Sequence, residues 1–133
     1  MTLQTISVRD FMIQRVITIA PQTEILQALQ TLIAKDIAGA PVVDESGVLL
    51  GMITEKDCMR VALNATYHSE YGGVVADFMS SPAVSISPDE SIVDLLKRFL
   101  SSDYHRYPVV ENDQLIGQVS RRDVLRALGR VWH

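Results

Sequence analysis

Hydrophobic positions in this chain switch between a spacing of two and a spacing of three or four residues. Alternating β-branched side chains at residues 17–19 and 84–86 predict two short strands. After each strand, apolar residues recur at helical spacing, which predicts an amphipathic helix with one buried face. The apolar positions are Ile25, Leu26, Leu29, Leu32 and Ile33 in the first helix and Ile92, Val93, Leu96, Phe99 and Leu100 in the second.

The second of these helices is preceded by a sequence typical of helix starts. Ser87 and Pro88, followed by the acids Asp89 and Glu90, resemble a capping box with proline at the first helical position. This pattern predicts Ser87 as the N-cap, with a start two residues later as the alternative.

Each helix is followed by two short apolar runs around a polar turn, the pattern of a β-hairpin. The predicted strands cover residues 41–43 and 48–53 in the first hairpin, and residues 108–110 and 115–119 in the second. A proline heads the first strand of each hairpin, where no ladder N–H is needed. A further helix is predicted after each hairpin, at residues 55–66 and 121–129, with Gly129 ending the last one. The order β-α-β-β-α therefore occurs twice.

The two halves of this pattern are copies of one sequence unit. VRDFM at residues 8–12 recurs as VADFM at residues 75–79, an offset of 67. After a one-residue deletion in the turn the offset becomes 66, and GMITEKD beginning at Gly51 matches GQVSRRD beginning at Gly117. Matching segments in the same order indicate a duplication. The chain divides accordingly into a first domain at residues 8–66, a connection at residues 67–74 and a second domain at residues 75–129.

A single unit of this size buries its sheet and helix faces poorly. We therefore expect an α/β fold in which the two units pack through their sheets with pseudo-two-fold symmetry. That packing would leave two related grooves between the halves.

Composition narrows the class of protein. The 133 residues are 47% hydrophobic and 21% charged, which favours a folded globular chain. The net charge of -4 argues against a nucleic-acid binder, because such a protein needs a basic surplus. A single cysteine excludes an intrachain disulfide and favours a reducing, cytoplasmic setting. The sequence shows no apolar run long enough for a membrane span and no export signal at its start, so no membrane contact is expected.

Four sequence motifs occur in the same order in both halves, and together they resemble the tandem cystathionine-β-synthase (CBS) domain pair, also called a Bateman module. They are the VxDFM segment, the strand ending in proline, the Pro-Val-Val-acid run and the glycine-led strand ending in Thr/Ser-x-x-Asp, and they cover about residues 8–129. The resemblance implies a non-enzymatic regulatory module that binds AMP, ADP or ATP in the grooves, forms a homodimer and signals to an effector protein. No cofactor is required, and a role for Mg²⁺ stays open. The alternatives are an S-adenosylmethionine or NAD-type ligand, or a ligand-free dimerisation scaffold.

Ribose-binding residues follow from the same resemblance. In CBS pairs the aspartate of the Thr/Ser-x-x-Asp motif accepts hydrogen bonds from ribose hydroxyls while the Ser/Thr supports the ligand. Here the motif supplies Thr54 and Asp57 in the first half and Ser120 and Asp123 in the second. The competing interpretation is a helix capping box, which needs no ligand.

Phosphate-binding residues are expected in the second half only. His105 and Arg106 resemble the His-Arg pair that contacts nucleotide phosphates in the γ regulatory subunits of AMP-activated protein kinase. Arg121 and Arg122 lie in the first turn of the predicted last helix, where cations oppose the helix dipole and a bound anion would offset the cost. Solvated surface cations are the alternative. The first half has Ala38 and Gly39 in place of the His-Arg pair, so the two grooves are expected to be unequal.

The adenine base is expected between apolar strand residues near Ile17, Ala40, Val84 and Tyr107. Catalysis is not expected, because no nucleophile elbow, phosphate-binding loop or zinc motif frames the acids, histidines and serines of this chain.

Overall fold

The structure is a computed structural model that describes residues 2–68 and 72–132. Its chain forms two compact units, which are described separately. The central unit is the continuous stretch Ile17–Ala83. The split unit combines Met1–Val16 with Val84–His133. The predicted connection at residues 67–74 falls partly outside the described residues, because residues 69–71 are not among them.

The elements follow the predicted order in both copies. The central unit contains helix α1 (Ile25–Lys35), strands β1 (Gly39–Val43) and β2 (Leu49–Thr54), helix α2 (Glu55–His68) and the single-turn helix α3 (Val75–Phe78). The split unit contains the 3₁₀ turns Leu3–Thr5 and Val8–Asp10, helix α4 (Ile92–Leu100), strands β3 (Arg106–Glu111) and β4 (Gln114–Ser120), and helix α5 (Arg121–Val131). Both strand pairs are antiparallel hairpins with one irregularity each.

The first predicted strand of each copy is reduced to one paired residue. In the central unit Ile19 makes a parallel bridge to Val42, and its N–H donates to the Pro41 carbonyl at 3.0 Å. The split unit repeats this arrangement with Ile86 beside Val109.

The sequence predicted a proline at the head of the first strand of each hairpin, but Pro41 and Pro108 lie inside β1 and β3. Pro41 lies opposite Met52, whose N–H and carbonyl both bond to Ser80 instead (3.0 and 2.9 Å). The missing proline N–H therefore costs no hydrogen bond in the hairpin ladder.

Two predicted helix ends were wrong. Helix α4 begins at Ile92 with Ser91 as its N-cap, whose hydroxyl accepts from the Asp94 N–H at 3.1 Å. Ser87 instead accepts from the Asp89 N–H in a local turn (3.1 Å), a use that Ser side chains often find outside helices. Helix α5 continues through Gly129 to Val131, whose side chain packs against the core.

The continuation of α5 makes Gly129 a helix-interior glycine, and a Cβ added there would meet no atom within 4 Å. We expect Gly129→Ala to raise the unfolding free energy by about 0.5–1 kcal/mol, because alanine restricts the unfolded chain and favours the helix. Urea denaturation of both proteins measures this change. An equal or lower midpoint in the variant would contradict a helix that runs through this position.

Each unit has its own hydrophobic core. The central core contains Ile19, Ile25, Ala28, Leu32, Ala40, Val42, Ile53, Cys58 and Val75. The split core contains Ile6, Val8, Ile86, Ile92, Leu95, Phe99, Tyr107, Val109, Val119, Val124, Ala127 and Leu128. Part of the predicted apolar helix faces is not used, since Leu26, Ile33 and Leu100 are exposed.

Two glycines explain how the VxDFM segments fit into these cores. A Cβ on Gly51 would lie 2.5 Å from the Ser80 carbonyl oxygen, and a Cβ on Gly117 would lie 2.8 Å from the Ile13 carbonyl oxygen. The backbone that follows each VxDFM segment therefore crosses directly over a glycine of β2 or β4. The segment at residues 8–12 packs in the split unit, with the second copy of the hairpin, and the segment at residues 75–79 packs with the first. Each packed unit therefore contains the VxDFM segment of the other sequence repeat.

Candidate functional site

The Thr54 and Asp57 pair caps helix α2. Asp57 Oδ2 accepts from both the N–H and the hydroxyl of Thr54, each at 2.9 Å, and the Thr54 hydroxyl accepts from the Asp57 N–H at 3.3 Å. The other carboxylate oxygen accepts from Arg60 at 3.0 Å. Asp57 is only 4% exposed, so its carboxylate already has a structural use before any ligand is considered.

The split unit repeats this arrangement at the start of α5. Asp123 Oδ2 accepts from the Ser120 N–H at 2.8 Å, and the Ser120 hydroxyl accepts from the Asp123 N–H at 3.1 Å. Arg126 donates to Oδ1 at 3.3 Å. An ionised carboxylate has about four acceptor positions, so Oδ1 retains capacity for a further donor.

The predicted phosphate-binding residues come together at the same helix start. The Arg121 N–H donates to the His105 carbonyl at 3.0 Å, which holds the loop before β3 against the first turn of α5. Arg106 is paired with Ser120 across the β3–β4 ladder. Within the described residues, Arg106, Arg121 and Arg122 make no ion pair with a carboxylate. Three arginines without a direct carboxylate partner among the described residues therefore lie at this helix start, in a chain whose net charge is -4.

Arg121 has a structural role as well. Its Nε donates to the Tyr104 carbonyl at 2.9 Å, and a terminal nitrogen donates to the Ser102 carbonyl at 3.4 Å. These bonds tie the loop at residues 102–105 to α5. Arg122 is exposed in the same helical turn, and Arg106 is half-buried.

The predicted base-pocket residues do not share one environment. Ile17 and Val84 are exposed, whereas Ala40 is fully buried in the central core. Tyr107 is 3% exposed and its hydroxyl lies 2.9 Å from the Ser102 hydroxyl, so it serves the split core.

The sequence reasoning missed Tyr104. Its ring is half exposed and lies 5.3 Å from that of Tyr107, at the edge of the loop that carries His105. An aromatic residue one position before a predicted phosphate contact was the available signal. Such a ring offers a face on which a base can stack.

At the start of α2, the equivalent position in the central unit, the arginines of the split unit are not repeated. Gly39 is buried, and a Cβ there would lie 3.1 Å from the Ile53 carbonyl oxygen, so its small size serves the hairpin itself. The Glu55 N–H donates to the Ala38 carbonyl at 2.9 Å, as Arg121 does to His105. The backbone is thus duplicated, while the charges are not.

Other reactive groups give no site in the described part of the chain. Burial, together with the nearby carboxylates of Asp57 and Glu55, raises the pKa of the Cys58 thiol, which keeps it protonated. No group of three or more His, Cys, Asp and Glu side chains among the described residues is arranged to hold a metal ion. None of the described helices combines the length and the hydrophobicity needed to cross a membrane.

Comparison with known proteins places this geometry in a family. The family model of the CBS domain matches residues 8–64 and again residues 75–130. Protein MJ1225 of Methanocaldococcus jannaschii is 30% identical over 125 residues, which are 94% of this chain and 44% of that protein, so this chain spans less than half of its relative.

Solved structures agree. The crystal structure of CBSX2 in complex with AMP superposes with a TM-score of 0.85 at 29% identity and covers 96% of this chain and 99% of that one. The CBS domain pair of protein MJ0100, in complex with 5'-methylthioadenosine and S-adenosyl-L-methionine, gives a TM-score of 0.75 at 25% identity, with 94% and 97% covered. With two matched copies and this fold, the chain belongs to the CBS domain family as a tandem pair.

Proposed function

We propose that this chain is a non-enzymatic regulatory module that binds an adenine nucleotide and passes the signal to an effector protein. The observation that carries the proposal is the cluster of arginines at the start of α5, which make no ion pair among the described residues. The His105 loop and the first turn of α5 are fixed to each other by the bond between the His105 carbonyl and the Arg121 N–H (3.0 Å). The positive end of the helix dipole at such a start favours anions.

Each residue of the cluster has a role in the proposal. Arg106 and Arg122 supply guanidinium donors for phosphate oxygens, and His105 supplies a further donor. Arg121 would join them only by leaving the loop carbonyls to which it now donates. Asp123 would accept from the ribose through Oδ1, and the half-exposed ring of Tyr104 would stack on the base.

The central unit would bind the phosphate part of a ligand more weakly. At the positions of Arg106 and Arg121 it has Gly39 and Glu55, and at that of Arg122 it has Lys56. Asp57 and Thr54 could still serve a ribose there. We therefore infer that the split unit holds the phosphates.

The relatives support an adenosyl ligand. One was crystallised with AMP and another with 5'-methylthioadenosine and S-adenosyl-L-methionine. A ligand of the second kind has no phosphate and would leave the arginine cluster unused, so the cluster favours AMP, ADP or ATP here. A homodimer is part of the proposal, because Leu26, Ile33 and Leu125 leave apolar helix surface exposed that a second copy could cover.

Thermal unfolding with AMP, ADP, ATP, S-adenosylmethionine and NADH tests the ligand. A nucleotide present at about 100 times its Kd should stabilise the protein by about 2.7 kcal/mol, and the midpoint should rise with its concentration. A midpoint unmoved by every compound at millimolar concentration would leave the ligand-free scaffold as the function.

Variants then test the site. Arg106→Ala and Arg122→Ala should abolish most of the shift caused by the best nucleotide without lowering the midpoint of the free protein. Lys56→Ala, which changes the position equivalent to Arg122, is the matched control and should keep the full shift. Equal shifts in all four proteins would refute the assignment to the split unit. Asp123→Ala is a poorer test, because losing the α5 cap costs about 1 kcal/mol by itself.

A further inference from the structure

Each unit contains an arginine that bonds to the aspartate of its Thr/Ser-x-x-Asp motif. Arg60 donates from Nη1 to Asp57 Oδ1 at 3.0 Å, and Arg126 donates from Nη1 to Asp123 Oδ1 at 3.3 Å. In both copies the arginine follows the aspartate by three residues. The duplicated motif is therefore longer than its cap, and ends in Asp-x-x-Arg.

Helix capping does not account for these arginines. The caps use the other carboxylate oxygen, Oδ2, which accepts from the backbone N–H of Thr54 or Ser120. Two further aspartates, Asp10 and Asp77, also accept through Oδ2 from the backbone N–H three residues earlier. Neither of them accepts from an arginine among the described residues. A cap of this kind is therefore complete without the arginine.

The aspartates that have an arginine partner are the buried ones. The side chains of Asp57 and Asp123 are 3% and 8% exposed, whereas Asp10 and Asp77 are exposed. In the described part of the chain, the arginine is the only donor to Oδ1 in each unit. An ionised carboxylate oxygen has about two acceptor positions, so one remains at each Oδ1.

The arginine side chains themselves stay largely in solvent. Arg60 is 68% exposed and Arg126 is 60% exposed, and each gives one terminal nitrogen to its aspartate. A guanidinium has five N–H donors in one plane, so several donors remain. Each Asp–Arg pair thus combines an acceptor position on a buried carboxylate with N–H donors beside it.

A sugar hydroxyl matches this combination, because one O–H group both donates and accepts. We propose that Arg126 determines the specificity of the split unit for ribose, and that Arg60 is its counterpart in the central unit. The carboxylate accepts from a ribose hydroxyl, while the guanidinium donates to a ribose oxygen and keeps Oδ1 in place. This inference rests on the proposed nucleotide site and adds how that site recognises the sugar.

A ligand without ribose hydroxyls would remove water from the Asp–Arg pair without replacing its hydrogen bonds. Sites built around a hydroxyl therefore discriminate against analogues that lack it. The aspartate is buried and the arginine is exposed, so we expect the aspartate to supply the larger part of this discrimination and the arginine a smaller part.

Isothermal titration calorimetry with AMP and with its dideoxy analogue, which lacks both ribose hydroxyls, tests the role of Arg126. The parent protein should bind AMP roughly tenfold more tightly than the analogue, or more. Arg126→Ala should weaken the binding of AMP and leave that of the analogue nearly unchanged, so the preference should fall roughly threefold or more. Because the preference compares two ligands on one protein, a change in stability or net charge cancels.

Arg130→Ala is the matched control, since Arg130 lies one turn further along α5 and makes no ion pair among the described residues. It should keep the preference of the parent. Equal weakening of both nucleotides in Arg126→Ala would reveal a general effect of charge or structure and would overturn the proposal.

Two further outcomes separate this inference from the proposed function. Loss of the preference in Arg60→Ala, with Arg126→Ala unaffected, would refute the assignment of the nucleotide to the split unit. A parent protein that binds neither AMP nor the analogue would refute the proposed AMP site and this inference together. A parent that binds both equally would refute ribose recognition alone.

Discussion

Deleting residues 2–13 should unfold the split unit, which contains residues 84–133 at the other end of the chain. Ile6 and Val8 are buried in its core, and each contributes about 1.5–3 kcal/mol by burial. The same segment accepts from the Ile92 N–H (2.8 Å) and exchanges two bonds of 2.9 Å between Ile13 and Gln118. Since small domains are stable by only about 5–15 kcal/mol in total, the split unit should not survive this loss.

Hydrogen exchange read by mass spectrometry measures the outcome. Protection should disappear in α4, β3, β4 and α5. Point variants supply a milder comparison. Val8→Ala should loosen the split unit, while Val75→Ala, its duplicate, should loosen the central unit. Loss of protection in α1 and α2 after the deletion, with α4 and α5 intact, would mean that the VxDFM segments pack with their own sequence repeats.

Gly51→Val and Gly117→Val should each lower the unfolding free energy by roughly 3 kcal/mol or more. A Cβ at either position lies within 3 Å of a backbone carbonyl oxygen, and backbone yields less readily than the end of a flexible side chain. The added side chain must push away the backbone at Ser80 in one unit or at Ile13 in the other, which is the costly form of overpacking. Denaturant unfolding followed by circular dichroism measures the loss.

Gly129→Val provides the matched control, because a Cβ there meets nothing within 4 Å. It should leave the unfolding free energy equal to that of the parent or a few tenths of a kcal/mol higher, since valine is a slightly better helix former than glycine. Comparable losses at all three glycines would show that the crossing strands do not restrict Gly51 and Gly117.

Most of the fold could be predicted because it depends on local spacing. Helical and alternating periodicities placed α1, α4 and the hairpins, and the internal duplication confirmed each element by its copy. The start of α4 was missed because the N-cap is Ser91 and not Ser87. Each of these serines is followed three residues later by an acid, so both fit the capping-box pattern. The end of α5 was missed because a glycine near a predicted helix end usually marks the C-terminus of the helix. Here the helix continues past Gly129, and Val131 packs against the split core.

The candidate site was harder to predict. The cation cluster was identified, since His105, Arg106 and Arg121 differ from their copies in the first half. The sequence could not show that several of the predicted site residues already make structural hydrogen bonds. Arg121 holds loop carbonyls, and Asp57 and Asp123 complete their caps, because the same residue types serve caps and ligands alike.

Because each unit contains the VxDFM segment of the other repeat, the two units become complete at different stages of synthesis. The central unit is one continuous stretch, Ile17–Ala83, which is synthesised before residues 84–133 of the split unit. The split unit must join residues 8 and 90, and residues 13 and 118, over separations of 82 and 105 positions (90 - 8 and 118 - 13). Such non-local closure is the slow part of folding. We therefore expect the arginine cluster, which lies on the split unit, to form after the central unit has folded.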